Sequence, residues 1–333
     1  MTRAAVAFPG RGSYGPGSRG SLPADHPWVG RADDLRAAAG MPALSAIDAE
    51  PFSAALHLRP ANAWPLTFLV SLLDAERIAD DHEVVVVVAS SIGWYTALAA
   101  SGALEFDDGF RLVQQMALAA EEPLDDAATA AELVYPLIDD AWERDEARAG
   151  LIDAALAGAG EGAARAVELG SFSVIAGTAG AVERVGASLP PVTMGGRAYP
   201  LRLAPADAWH TPLRARSAAS AASRLGDLGW ERPRVPIVDG RGVRFTPLST
   251  DPERLAEQSL VVHAEAPYDF ARAFRVALRE YAPDVVLLPG PGATLGTACA
   301  QLIVAEGYRG IRSRTELEAV QAGPSPLLLS MRR

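Results

Sequence analysis

Ser91 stands where a serine can become a nucleophile. Val84 to Ala89 reads as a strand buried on both faces, and a helix begins at Trp94. Ser91 lies in the turn between them, with Ala89 two residues before it and Gly93 two after. Small residues at those positions permit a tight, strained turn that lifts Oγ above the sheet. The same turn sets the hydroxyl at a helix N-terminus, where free backbone N–H groups stabilise developing negative charge. A serine there can also be no more than an N-cap closing a core strand. Ser90 offers a second hydroxyl, and the small flanking residues single out Ser91.

A serine hydroxyl is a weak nucleophile until a base takes its proton. The histidines are His26, His57, His82, His210 and His263. His82 is at the wrong end of the valine strand, His26 is in an irregular segment, and His57 and His263 have no distinctive surroundings. His210, in Trp209-His210-Thr211-Pro212-Leu213, follows the strand-like Tyr199 to Leu203 and precedes an alanine-rich helix, Thr211 to Leu225. Loops at strand ends collect catalytic groups in open α/β sheets. A lone histidine is more often structural, so this position needs support from other residues.

The elements that would hold these groups alternate between strand and helix. Strand-like stretches are Ala4–Phe8, Glu83–Ala89, Glu132–Ile138, Phe172–Ala176, Tyr199–Leu203, Val235–Asp239 and Val285–Leu288. Helical spacing appears over 64–78, 94–100, 145–157, 179–189, 252–262, 269–281 and 293–306. Another helix starts at Phe106, with Asp107 or Asp108 as its cap, and residues 16–30 read as irregular. The two strand–helix units after Glu121 suggest a small α+β subdomain inserted into a larger α/β one. A chain that is 49% hydrophobic and 21% charged has material for a core. A net charge of −11 disfavours nucleic acid and anionic membrane as partners. Cys299 is the only cysteine, which rules out an intramolecular disulfide and suits a reducing compartment. No apolar run approaches the ~20 residues of a membrane span, and no signal pattern is seen, so a soluble cytoplasmic protein is expected.

Several motifs, in order, resemble those of the malonyl-CoA:acyl-carrier-protein transacylases and polyketide-synthase acyltransferases. Phe8-Pro9-Gly10-Arg11-Gly12-Ser13 is similar to their Phe-Pro-Gly-Gln-Gly-Ser, and Ala89-Ser90-Ser91-Ile92-Gly93-Trp94-Tyr95 to their Gly-His-Ser-Leu-Gly-Glu-Tyr. Trp209-His210-Thr211-Pro212-Leu213 resembles their Phe-His-Ser-Pro-Leu, Leu255 to Gln258 their Leu-x-x-Gln, and Gly290-Pro291-Gly292 their closing Gly-Pro-Gly. The resemblance spans roughly residues 4–305. It implies an α/β-hydrolase-like large domain with a parallel sheet, formed by 1–122 and 200–321. It also implies an inserted ferredoxin-like α+β subdomain over 123–199. Residues 322–333 are then a tail expected to be poorly ordered until something holds it.

The implied chemistry is ping-pong acyl transfer from an acyl-CoA to the thiol of an acyl carrier protein. Ser91 attacks the thioester, His210 accepts its proton, and backbone N–H groups of Ile92 and Arg11 hold the oxyanion. A main-chain carbonyl at Gln258, or close to it, orients the histidine. Coenzyme A thioester is the substrate, and neither a further cofactor nor a metal is expected. A hydrolase on the same fold, or a scaffold that binds a carrier without catalysis, are the alternatives. Arg197, Arg202, Arg214 and Arg216 flank the His210 loop and are candidates for docking an acidic carrier.

The departures bear on the acyl group. Arg11 replaces the family's glutamine, Ser90 the histidine before the nucleophile, and Trp94 the glutamate after the elbow. Met116 stands where malonyl-specific members carry the arginine that pairs with the substrate carboxylate, so Met116 and Ser90 would line the acyl pocket. Arg111, five residues before it, lies about 140° around the helix and cannot take its place. A malonyl group is disfavoured unless Arg11 supplies the missing cation. Gly10-Arg11-Gly12-Ser13-Tyr14-Gly15 matches a dinucleotide-binding pattern in letters only, since Pro16 and Gly17 follow where a helix should begin. Asp125-Asp126 and Asp139-Asp140 read as solvated surface.

Overall fold

In a computed structural model of the chain, residues 1–125 and 128–332 are described. Two sheets dominate. Thr2–Phe8 is central in a six-stranded sheet, flanked in parallel by His82–Ala89 on one side and Val285–Leu288 on the other. Ile237–Val238 continues the first flank in parallel, and Arg244–Phe245 closes it antiparallel. The valine run is a central strand, as its lack of polar alternation requires. Ala4, Val6, Phe8, Val87 and Ala89 face one apolar cluster, while Ala5, Ala7, Val86 and Val88 face another. Helices Pro60–Asp81 and Phe106–Glu121 contribute to the first cluster, Phe270–Tyr281 and Gly296–Ala305 to the second.

The second sheet has five strands, in the order Tyr268–Asp269, Ala163–Glu168, Phe172–Thr178, Ala130–Pro136 and Leu201–Arg202. Leaving aside Tyr268–Asp269, which joins in parallel at one edge, the pairing is antiparallel throughout. Helices Glu146–Ala159 and Ala179–Ser188 connect these strands in βαββαβ order, a ferredoxin-like arrangement. The sheet also takes two strands, Leu201–Arg202 and Tyr268–Asp269, from beyond the C-terminal end of the 123–199 segment. Asp145 caps its first helix by accepting from Ala147 and Arg148 N–H at 3.1 and 3.3 Å.

Several local expectations are corrected. Ala163–Glu168 has no strand-like composition, being rich in alanine and charge, yet pairing with Phe172–Thr178 makes it a strand. The helix at Phe106 is capped by neither aspartate; both lie in its first turn, where Asp107 pairs with Arg31. A helix, Pro27–Ala38, begins within the segment read as irregular, with the His26 ring accepting from Trp28 N–H at 3.2 Å. Gly10–Gly15 leads only into a three-residue turn, Pro16–Ser18. Asp139 and Asp140 are exposed, Asp125 pairs with Arg216, and Asp126 lies outside the described residues. No helix among the described residues is long and apolar enough to cross a membrane.

The tail is also corrected. Leu328–Ser330 adds the sixth strand of the large sheet, pairing in parallel with Val285–Leu288. Arg332 then reaches Asp74, which is 2% exposed, with Nε and Nη2 at 2.8 and 2.9 Å from its two oxygens. The same carboxylate accepts Gly290 N–H at 2.9 Å, so the tail braces the Gly-Pro-Gly loop. Arg332→Ala leaves a buried carboxylate short of its partner. We expect it to lower the unfolding free energy by about 1–3 kcal/mol in a urea titration. An unchanged midpoint would mean that the tail strand adds no stability.

Candidate active site

The Ser91 turn is built by close approach. Ser91 has φ 50°, a left-handed conformation rare for a serine. The turn is held by Gly93 N–H to Ser90 O and Trp94 N–H to Ser91 O, both at 2.9 Å. At Gly93 a Cβ would lie 2.6 and 2.7 Å from the carbonyl oxygens of Pro9 and Phe8, so only glycine lets the helix start against the end of the central strand. A Cβ on Gly10 would come within 3.4 Å of Ser91 Cβ and 3.2 Å of Ser90 Oγ, which puts the 9–12 loop directly beside the nucleophile. Ser13 Oγ pins that loop, donating to Gly10 O at 2.8 Å and lying 2.7 Å from Thr294 Oγ1. The N–H groups of Arg11 and Ile92 donate to no group among the described residues.

His210 meets Ser91 from the other side, with Nε2 2.7 Å from Ser91 Oγ. Its Nδ1 is 2.6 Å from the carbonyl oxygen of His263. A carbonyl can only accept, so Nδ1 carries the hydrogen and Nε2 presents its lone pair to the serine hydroxyl. The orienting carbonyl is therefore that of His263 and not of Gln258. Residues Gln258–Val262 form a single π-turn, and Gln258 O is used within it, accepting from His263 N–H. The helix continues only to Glu265, and the residue four beyond His263 is Pro267, which has no N–H to give. That frees the His263 carbonyl. The neighbouring Ala264 carbonyl accepts His210 N–H at 2.8 Å, so one helix end fixes both the backbone and the ring of His210.

The His210 loop is fastened from below. Asp207 and Arg214 form a buried ion pair, each side chain 4% exposed. Arg214 also donates to the carbonyls of Ala120 at 2.9 Å and Glu122 at 2.6 Å, at the C-terminal end of the helix that bears Met116. A cation there complements the helix dipole. Arg214 is thus removed from the candidate docking surface, while Arg197 and Arg202 are exposed. Trp209 packs edge-on against Trp64, ring centroids 5.4 Å apart.

The remaining candidates are buried or engaged in contacts of their own. Ser90 is buried beside Gly10. Met116 is fully buried in the same apolar cluster as Ile92 and Trp209. Trp94, also fully buried, donates its indole N–H to Ser259 Oγ at 2.9 Å. The Arg11 side chain crosses from the loop beside Ser91 to donate to Pro205 O and to Glu132, which is 3% exposed on the Ala130–Pro136 strand. Burial works to lower the Arg11 pKa, but the Glu132 carboxylate outweighs it and raises it, so the guanidinium stays charged.

Electrostatics keep His210 neutral. Burial lowers its pKa from the ordinary imidazole value to about 3, and the Arg11 charge acts in the same direction. The bond to the His263 carbonyl opposes this only in part. As pH falls the unfolded chain takes up this proton first, so stability is complete above about pH 6.5 and is lost progressively toward pH 3. For chemistry the consequence is a base already in its working form across the neutral range. This moves the expected loss of base function well below the ordinary imidazole range. We expect labelling of Ser91 by a fluorophosphonate to proceed at a level rate from about pH 8 to about pH 5. A fall centred near pH 6.5 would contradict the buried neutral imidazole.

A serine at a helix N-terminus, a neutral histidine on its Oγ and two unengaged N–H groups beside it are the parts that nucleophilic acyl transfer calls for. Comparison with known proteins points the same way. No protein-family model matches the sequence. The malonyl CoA-acyl carrier protein transacylase of Escherichia coli K12 is 28% identical over 255 residues, 73% of this chain and 76% of that one. Solved structures share the fold. The malonyl-CoA:ACP transacylase of Synechocystis superposes with a TM-score of 0.75 at 19% identity, covering 100% of this chain and 98% of that one. A malonyl-transacylase solved with its type II polyketide-synthase acyl-carrier protein gives 0.74 at 21% identity, covering 91% and 93%. The acyltransferase domain from the second module of the salinomycin polyketide synthase gives 0.73 at 22%, covering 100% and 69%. Motif order, fold and sequence together relate the chain to the malonyl-CoA:acyl-carrier-protein transacylases and the polyketide-synthase acyltransferases.

Proposed function

We propose that this protein is an acyltransferase that moves an acyl group from coenzyme A to the thiol of an acyl carrier protein through an acyl-Ser91 intermediate. The observation that carries the reading is the 2.7 Å contact between Ser91 Oγ and His210 Nε2, with Nδ1 held on a main-chain carbonyl. In the first half-reaction Ser91 Oγ attacks the thioester carbonyl as His210 Nε2 takes its proton. The N–H groups of Ile92 and Arg11 receive the oxyanion. The C–S bond then breaks, and His210 returns the proton to the departing thiolate. In the second half-reaction the carrier's thiol gives its proton to His210 and attacks the serine ester; the ester C–O bond breaks and His210 returns the proton to Ser91 Oγ. A cleft of about 340 Å³ lies between Glu161–Ala164 and Thr211–Leu213, the residues that follow His210.

The preferred acyl group lacks a terminal carboxylate. Met116 presents no charge where malonyl-specific relatives hold an arginine, and the Arg11 guanidinium is already engaged by Glu132. A malonyl group would bury an anion without a dedicated partner.

Intact-mass analysis after incubation with acetyl-CoA, longer acyl-CoAs and malonyl-CoA tests the reading. The wild type should gain a neutral acyl mass faster than a malonyl mass. Ser91→Ala should gain none, Ser90→Ala should retain acylation in part, and His210→Ala should be slower by roughly 10²–10⁴-fold. Acyl mass on Ser91→Ala would refute the nucleophile assignment. Loss of the acyl group in buffer alone as fast as with carrier thiol would make the protein a hydrolase.

A further inference from the structure

The ion pair beside the nucleophile has a chemical consequence that rests on the acyl-transfer reading. Arg11 belongs to the loop whose Gly10 abuts Ser91, and its guanidinium is the cation that a carboxylate on an acyl-serine would seek. That cation is occupied from within. Glu132 approaches it from the second sheet, on the strand register Glu132↔Ala176, and Pro205 O, five residues before the base, takes another of its N–H groups. Glu132 is anchored in turn, since its backbone carbonyl accepts Leu203 N–H at 3.1 Å. Arg11 itself is 22% exposed in its side chain, so the pair is not sealed off.

We infer that Glu132 is a specificity-determining residue, an internal carboxylate that stands in for a substrate carboxylate on Arg11 and so excludes dicarboxylic acyl groups from Ser91. A malonyl carboxylate must either displace Glu132, leaving that anion buried and unpaired, or crowd a second anion onto one guanidinium. A neutral acyl group meets a charge-balanced wall. Asp207 reinforces the exclusion, because its carboxylate lies near enough to act on both members of the pair and is itself held by Arg214. If the pair were only a clamp between the two sheets, breaking it would slow every acyl donor alike. A specificity role changes the ratio between donors.

The test is Glu132→Gln, which keeps the shape and removes the charge. Acylation of Ser91 by malonyl-CoA and by acetyl-CoA is followed by intact mass. We expect the malonyl-to-acetyl rate ratio to rise roughly tenfold or more as the Arg11 guanidinium becomes available. Adding Arg11→Gln in the same chain should return the ratio to the wild-type value. Glu132→Ser serves in the same way if Glu132→Gln does not fold. A ratio that stays within about twofold of wild type, or a rise that survives Arg11→Gln, overturns the assignment. Calorimetric Kd values for the two thioesters on a Ser91→Ala background provide a readout that needs no turnover, and the same shift in their ratio is expected. Wild-type protein that takes no acyl mass from any thioester would defeat the acyl-transfer reading, while the calorimetric ratio still decides the role of Glu132.

Discussion

A helix that runs out just before a proline leaves a carbonyl with nothing to accept, and the catalytic geometry hangs on that carbonyl. His263 O would ordinarily receive an N–H four residues later; Pro267 has none, so His210 Nδ1 takes the position at 2.6 Å. This single bond fixes the tautomer and aims Nε2 at Ser91. It also does so without a carboxylate that would raise the imidazole pKa. With burial lowering that pKa to about 3, the imidazole is neutral across the neutral pH range. The Ser91–His210 pair is therefore set by backbone and burial, with a main-chain carbonyl in the orienting position that a carboxylate fills in a triad.

Two arginine pairs, one fully buried and one partly exposed at its arginine, hold the halves of the site in register. Arg214 ties the His210 loop to Asp207 and to the carbonyls that end the Phe106–Glu121 helix. Arg11 ties the loop beside Ser91 to Glu132 on the second sheet. Breaking either pair strands a charge in a desolvated place, which costs far more than a surface pair would. The large sheet, the inserted sheet and the two loops that carry Arg11 and His210 are thus coupled by groups that also set the charge around Ser91.

Much of the fold was legible because its signals are local. A run of valines between polar ends specifies a central strand, and the Ala89–Ser91–Gly93 spacing specifies a strained elbow, seen as a left-handed Ser91. His210 was reachable once its loop was set in the order of motifs. What the residues could not disclose is cooperative. Ala163–Glu168 is a strand only because a neighbour pairs with it, and Leu328–Ser330 only because an edge is free beside Val285–Leu288. The orienting group was misplaced at Gln258 because any residue type supplies a carbonyl. The one available signal was Pro267, four residues after His263. Glu132 was read merely as the start of a strand, since its partner Arg11 is remote in sequence and meets it only across the two sheets.

The central claim is that His210 is a neutral base held by a main-chain carbonyl. Nitrogen-15 NMR of the imidazole rings, with His210 assigned by comparison with His210→Gln, reads its tautomer and protonation directly. Hydrogen on Nδ1 and a bare Nε2 are expected, unchanged from about pH 8 to about pH 5. Hydrogen on Nε2, or an imidazolium appearing near pH 6.5, would contradict that claim.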